Sequence, residues 1–103
     1  MHIVTNIDGF DWNQGNELKN LSKHSVTNEE CEEVFFNHPL LVSPDLKHSQ
    51  TEPRLHALGY TQEGRMLFLS FTIRQEKIRV ISARDMNKKE KTFYEKAQKD
   101  SKI

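Results

Sequence analysis

The stretch Met66 to Ile73 (MLFLSFTI) most constrains this chain, because it is apolar on both parities. A strand that reads this way is covered on both faces, so the spacing predicts the centre of a sheet. Short polar turns bound it, Thr61-Gln62-Glu63-Gly64 before and Arg74-Gln75-Glu76-Lys77 after. Strands joined so briefly pair antiparallel, since a parallel crossover needs about a dozen residues or more. Residues 53–60 alternate, Leu55 and Ala57 against Arg54 and His56, and Ile78 to Ala83 supplies the strand on the other side. Leu40-Leu41-Val42, closed by Ser43-Pro44-Asp45, adds a short fourth.

Helices are expected around this meander. Thr27, three residues before Glu30, has the spacing of a capping box, with Val26 and Cys31 in the flanking staple positions. Cys31, Val34 and Phe35 then share one face, and Asn37-His38-Pro39 stops the helix. Cys31 is thereby placed in the core and not as a nucleophile. Asn87, with Glu90 three residues on, starts a last helix to about Lys99 with Phe93 and Ala97 on one face. Asp11-Trp12-Asn13 caps a weaker helix to about His24, and residues 2–7 offer a thinly supported first strand. Runs of strands with helices before and after them make an α+β fold: N-terminal helices, an antiparallel sheet of about four strands, a C-terminal helix. At 103 residues the chain suits a single domain, residues 1–103.

Composition narrows the function classes. No run approaches the ~18 apolar residues of a membrane span. Residues 1–12 carry neither a basic nor an apolar leader region, and the one cysteine fits a reducing cytoplasm. Formal net charge is zero, but residues 1–63 hold four Lys/Arg against ten Asp/Glu, and residues 64–103 eleven against five. That polarity suits contact with RNA or an acidic partner, although Lys88, Lys89, Lys91, Lys96 and Lys99 equally suit a solvated helix face. The histidines and cysteine show no metal-ligand spacing, so neither a metal nor another cofactor is expected.

The order Phe10-Asp11-Trp12, Asn20, Lys23-His24, Val26, then Cys31 to Phe36, Asp45, His48-Ser49, Glu52, Arg54, Gly64 to Phe68, Ile78 to Arg84, Glu90 and Tyr94 resembles the BrnT family of ribonuclease toxins. The resemblance covers roughly residues 10–95. Three positions depart from the family pattern: Asn13 for aspartate, Asn16 where many members carry lysine, and Ser25 for glycine. The resemblance implies a RelE-like fold, with helices on one face of the sheet and an RNA-binding concavity on the other. It further implies metal-independent RNA cleavage. The partner it implies is a BrnA-type ribbon-helix-helix antitoxin, through which alone the toxin meets operator DNA.

Cleavage without a metal needs a base for the 2′-hydroxyl, an acid for the leaving 5′-oxygen and cations for the phosphorane-like transition state. Imidazole and carboxylate exchange protons, and a guanidinium fork binds two phosphate oxygens. The expected catalytic set is Arg65, Arg84, Glu52 and His48, converging in one hollow. Lys23, His24, Arg54 and Arg79 are the expected substrate contacts. Each has a plainer alternative: a turn-end ion pair for Arg65, a pairing with Asp85 or Glu90 for Arg84, a helix C-cap for His24. His2, His38 and His56 read as structural or solvated. Two rival functions stay open, a non-catalytic member that only binds its partner, and an RNA-binding module built on the basic C-terminal helix.

Overall fold

A computed structural model describes residues 8–13, 15–16, 24–48 and 52–100. Among these, the capping box forms as the spacing predicts. Glu30 N donates to Thr27 Oγ1 at 3.1 Å and Thr27 N to Glu30 Oε1 at 3.0 Å. These bonds satisfy two amides that no helical carbonyl can reach, a contribution of about 1 kcal/mol. Helix α1 spans Asn28–Val34 and buries Cys31 and Val34, with Val26 buried just before it. Burial pushes the Cys31 thiol up to about 12, helped by the negative charge of Glu30 and Glu32, so it stays a neutral core residue. Phe35 continues the apolar face, edge-on to Phe71 with ring centroids 5.1 Å apart.

The meander follows as expected: β1 Leu41–Pro44, β2 Leu55–Tyr60, β3 Met66–Arg74 and β4 Lys77–Asp85, antiparallel in the order β1-β2-β3-β4. A single 3-10 turn, Leu46–His48, separates β1 from the approach to β2. One sheet face carries Leu55, Ala57, Leu67, Leu69, Phe71, Ile78, Val80 and Ala83, all buried, and α1 packs on it. Gly59 admits the helix: a Cβ there would stand 2.6 Å from Val34 Cγ1.

Helix α2, Lys88–Asp100, starts at its own box, with Glu90 N to Asn87 Oδ1 at 2.8 Å and Asn87 N to Glu90 Oε1 at 2.9 Å. Two expectations change here. Tyr94, not Phe93, is the buried anchor; its hydroxyl donates to Pro39 O and its ring meets Tyr60, while Phe93 stays 62% exposed. In addition, α2 does not join α1. Phe93 and Glu90 border a cavity with Leu58 and Phe68, residues of the second sheet face, so helices lie on both faces. The expectation of helices confined to one face is corrected accordingly. The N-terminal stretch runs beside β4, bridging Phe10 to Ile78, with Ile78 N donating to Gly9 O at 2.9 Å. The strand expected over 2–7, and most of the helix expected to reach His24, lie outside the described residues. No helix among the described residues is long and apolar enough to cross a membrane.

Candidate functional site

The second sheet face is read in rows across the strands. Leu58, Phe68 and Arg84 form one row, His56, Ser70 and Ser82 the next, Thr72 and Arg79 the third. A bulge makes this arrangement. Ser70 pairs with Ser82 but Phe71 with Val80, which leaves Ile81 unmatched. Strict alternation would send Arg79 and Arg84 to opposite faces; one extra residue brings both to the same one.

At the β1 side, Asp45 N donates to Arg54 O at 2.8 Å, which extends the β1–β2 ladder by a pair and turns the Asp45 carboxylate onto this face. The 3-10 turn returns His48 to it. His48 Nδ1 lies 2.9 Å and His56 Nε2 3.1 Å from the same Asp45 Oδ2. Asp45 is buried. Burial alone would raise its carboxyl, but the hydrogen bond from His48 and the positive potential of both imidazoles hold it below the ordinary value. An ionised Asp45 accepts from both rings, which places a proton on His48 Nδ1 and on His56 Nε2 and leaves His48 Nε2 and His56 Nδ1 for proton exchange.

His56 also packs against Phe68, its ring tilted by 53° with centroids 4.8 Å apart, and Arg84 lies over the same ring at 4.2 Å from its centroid. Arg84 is clamped from the other side by Glu90, Nη1 to Oε1 at 2.8 Å and Nη2 to Oε2 at 3.0 Å. That bond holds the Glu90 carboxyl below its usual range against the opposing effect of burial. His48, Asp45, His56, Phe68, Arg84 and Glu90 are therefore one connected group.

A second group adjoins it. Glu52, Arg54, Arg74 and Arg79 border a polar hollow of about 180 Å³ next to Thr72. Arg74 grips Glu52 with Nε and Nη2, at 3.0 and 2.7 Å, and this holds the Glu52 carboxyl low. Arg79 reaches Asp11 and Asn13 only at 3.5 and 3.3 Å. Arg54, just before β2, and His56 within it are two positions apart on the same face, roughly 7 Å along the chain, so the two groups are contiguous.

Arg65 does not join them. It lies on the α1 side, donating to Asp85 at 2.7 and 3.1 Å, to Glu30, and to the carbonyls of Ser25 and His24. Glu52 is held by Arg74 at one end of β3 and Arg65 stands just before the other end, nine residues or about 30 Å away, so the expected single hollow does not hold both. His24 falls with Arg65, and Lys23 lies outside the described residues. Of the expected set, His48 and Arg84 meet in the first group, and Glu52, Arg54 and Arg79 in the second.

Sequence reasoning missed Asp45, His56 and Arg74. His56 shares the parity of Arg54 and so faces the same way, a signal available in the alternation. One of the departures, Asn16, finds a physical reason as well. Asn16 is buried and spends its amide on Asp11 O and Val80 O, at 3.0 and 2.9 Å, pinning the N-terminal stretch to β4. Trp12 Nε1 donates to Glu32 Oε2 at 2.8 Å and fastens the same stretch to α1.

Against known families, the model described as ribonuclease toxin, BrnT, of type II toxin–antitoxin systems matches residues 12–90, which is most of the chain. Comparison with individually curated proteins gives no match.

Proposed function

The chain belongs to the BrnT family of ribonuclease toxins of type II toxin–antitoxin systems, and we propose that it is a metal-independent endoribonuclease working on the second sheet face. The observation that carries this reading is the pair of imidazoles sharing Asp45 beside a bank of guanidinium groups. One neutral imidazole takes the proton of a 2′-hydroxyl. That oxygen attacks the adjacent phosphorus as the P–O5′ bond breaks, and the other imidazole, protonated, delivers its proton to the leaving 5′-oxygen. Asp45 stabilises whichever ring is charged. Arg84 neutralises the phosphorane oxygens, Arg54 and Arg79 hold the neighbouring phosphates, and Arg74, held by Glu52, prolongs the cationic track.

Two of the four expected catalytic residues keep that role, His48 and Arg84. Glu52 becomes a positioning residue for Arg74, and Arg65 a structural one. The meander with its C-terminal helix supports a RelE-like reading of the fold. Family membership implies an antitoxin; we take it to be of the BrnA type, with a ribbon-helix-helix part that alone contacts DNA.

The test is to incubate purified, antitoxin-free protein with RNA in excess chelator and analyse the new ends. Fragments ending in 2′,3′-cyclic phosphate and beginning with 5′-hydroxyl are expected. Intact RNA, or cleavage that chelation abolishes, would overturn the mechanism.

A further inference from the structure

Beside the proposed reaction centre lies a second, larger space that the mechanism does not use. It measures about 480 Å³, within the range of small-ligand pockets. Leu41, Leu58, Phe68 and Phe93 supply apolar walls, and His56 and Glu90 stand at its border. We infer that this cavity receives one unstacked purine base of the RNA, next to the phosphodiester that is cut; the inference rests on the ribonuclease reading of the adjoining group.

Three observations argue for a base. His56 belongs to both places, so a nucleotide whose phosphate meets that imidazole has its own or its neighbour's base at the mouth of the cavity. Phe93, 62% exposed on α2, is a large aromatic side chain standing over an apolar floor. A base has two π-faces to place between such surfaces and a polar edge to satisfy, and single-stranded RNA is commonly read in this way. Glu90 supplies the edge contact. Its carboxylate has about four acceptor positions, of which Arg84 fills two and Asn87 N a third. The remaining one, on Oε2, accepts an N–H from the base. A purine presents a wider face to Phe93 than a pyrimidine and so stacks on it more strongly.

The experiment compares cleavage of short RNAs that differ at a single base flanking the cut. In parallel, it compares binding of purine and pyrimidine nucleoside 3′-monophosphates with binding of ribose 5-phosphate. Wild-type protein is expected to prefer the purine roughly tenfold or more in both assays. Phe93→Ala and Phe93→Leu are expected to lose that preference, and Phe93→Trp to keep it, because stacking and not bulk is required. Base-selective binding without any cleavage would support the cavity and refute the ribonuclease reading. Cleavage indifferent to the flanking base, with nucleotides bound no better than ribose 5-phosphate, would overturn the cavity and leave the ribonuclease reading intact. Phe93→Leu matching wild type in both assays would also overturn it, and would point to a docking surface for protein instead.

Discussion

Replacing His56 with alanine is expected to lower RNA turnover by about 10²- to 10⁴-fold, the range contributed by a positioned acid or base. The fold should survive. The imidazole is about one-third exposed, and Asp45, which it helps to satisfy, keeps His48 as a partner. Stability should fall by only about 1 kcal/mol, the worth of an ordinary hydrogen bond. His48→Ala should cost a similar factor. The double variant should be far less impaired than the product of the two, because two groups that act in one proton exchange are not additive. Single-turnover cleavage with a thermal melt on each variant reads both effects. A His56→Ala protein that cleaves within threefold of wild type would remove the imidazole from the mechanism.

Arg65→Ala should do the opposite: large harm to stability, little to chemistry. The guanidinium makes six hydrogen bonds, tying the β2–β3 turn to Asp85, to Glu30 of α1 and to the carbonyls before that helix. It is only 28% exposed. Removal leaves the half-buried Glu30 without its cation and returns the exposed Asp85 and two exposed carbonyls to water, and about 2 kcal/mol is expected. That corresponds to a drop of roughly 10 °C in melting temperature for a domain of this size. A pH signature should accompany it. Hydrogen bonds from Arg65 hold the Asp85 carboxyl below its ordinary value. A group depressed by folding stabilises the native state above its unfolded pKa, about 3.9. That contribution disappears as pH falls through the lower, folded value. Wild-type stability should therefore decline toward acid more steeply than that of Arg65→Ala, measured as urea midpoints between pH 7 and 3. Below the variant's melting temperature, cleavage per folded molecule should be unchanged. A variant that melts like wild type yet cleaves nothing would return Arg65 to the catalytic set.

The contrast between His56 and Arg65 reflects what a sequence can carry. Local chemistry was legible: Thr27 with Glu30 and Asn87 with Glu90 announce two helix starts, and two short turns force an antiparallel meander. Which side chains converge depends on register, and here on one unmatched residue, Ile81, that no alternation rule anticipates. With it, Arg79 and Arg84 share a face. An arginine opening a strand looks like a phosphate ligand until Asp85 and Glu30, 20 and 35 residues away, are found to claim it. Asp45 was hidden for a similar reason. It ends a short apolar run like any turn aspartate, and only the strand pairing places it under two imidazoles. On α2, Phe93 and Tyr94 are neighbours on the helix surface, and contact with Tyr60 and Pro39 decides which one is buried.

The most direct measurement is the position of RNA on the protein, from a structure or amide-shift map with an oligonucleotide made uncleavable by a 2′-deoxy sugar at the cut. The scissile phosphate should lie over Ser70 and Ser82, within reach of His48, His56 and Arg84, with Arg54 and Arg79 on its neighbours. RNA bound along the α2 lysines or beside Arg65, with the imidazoles undisturbed, would contradict the account.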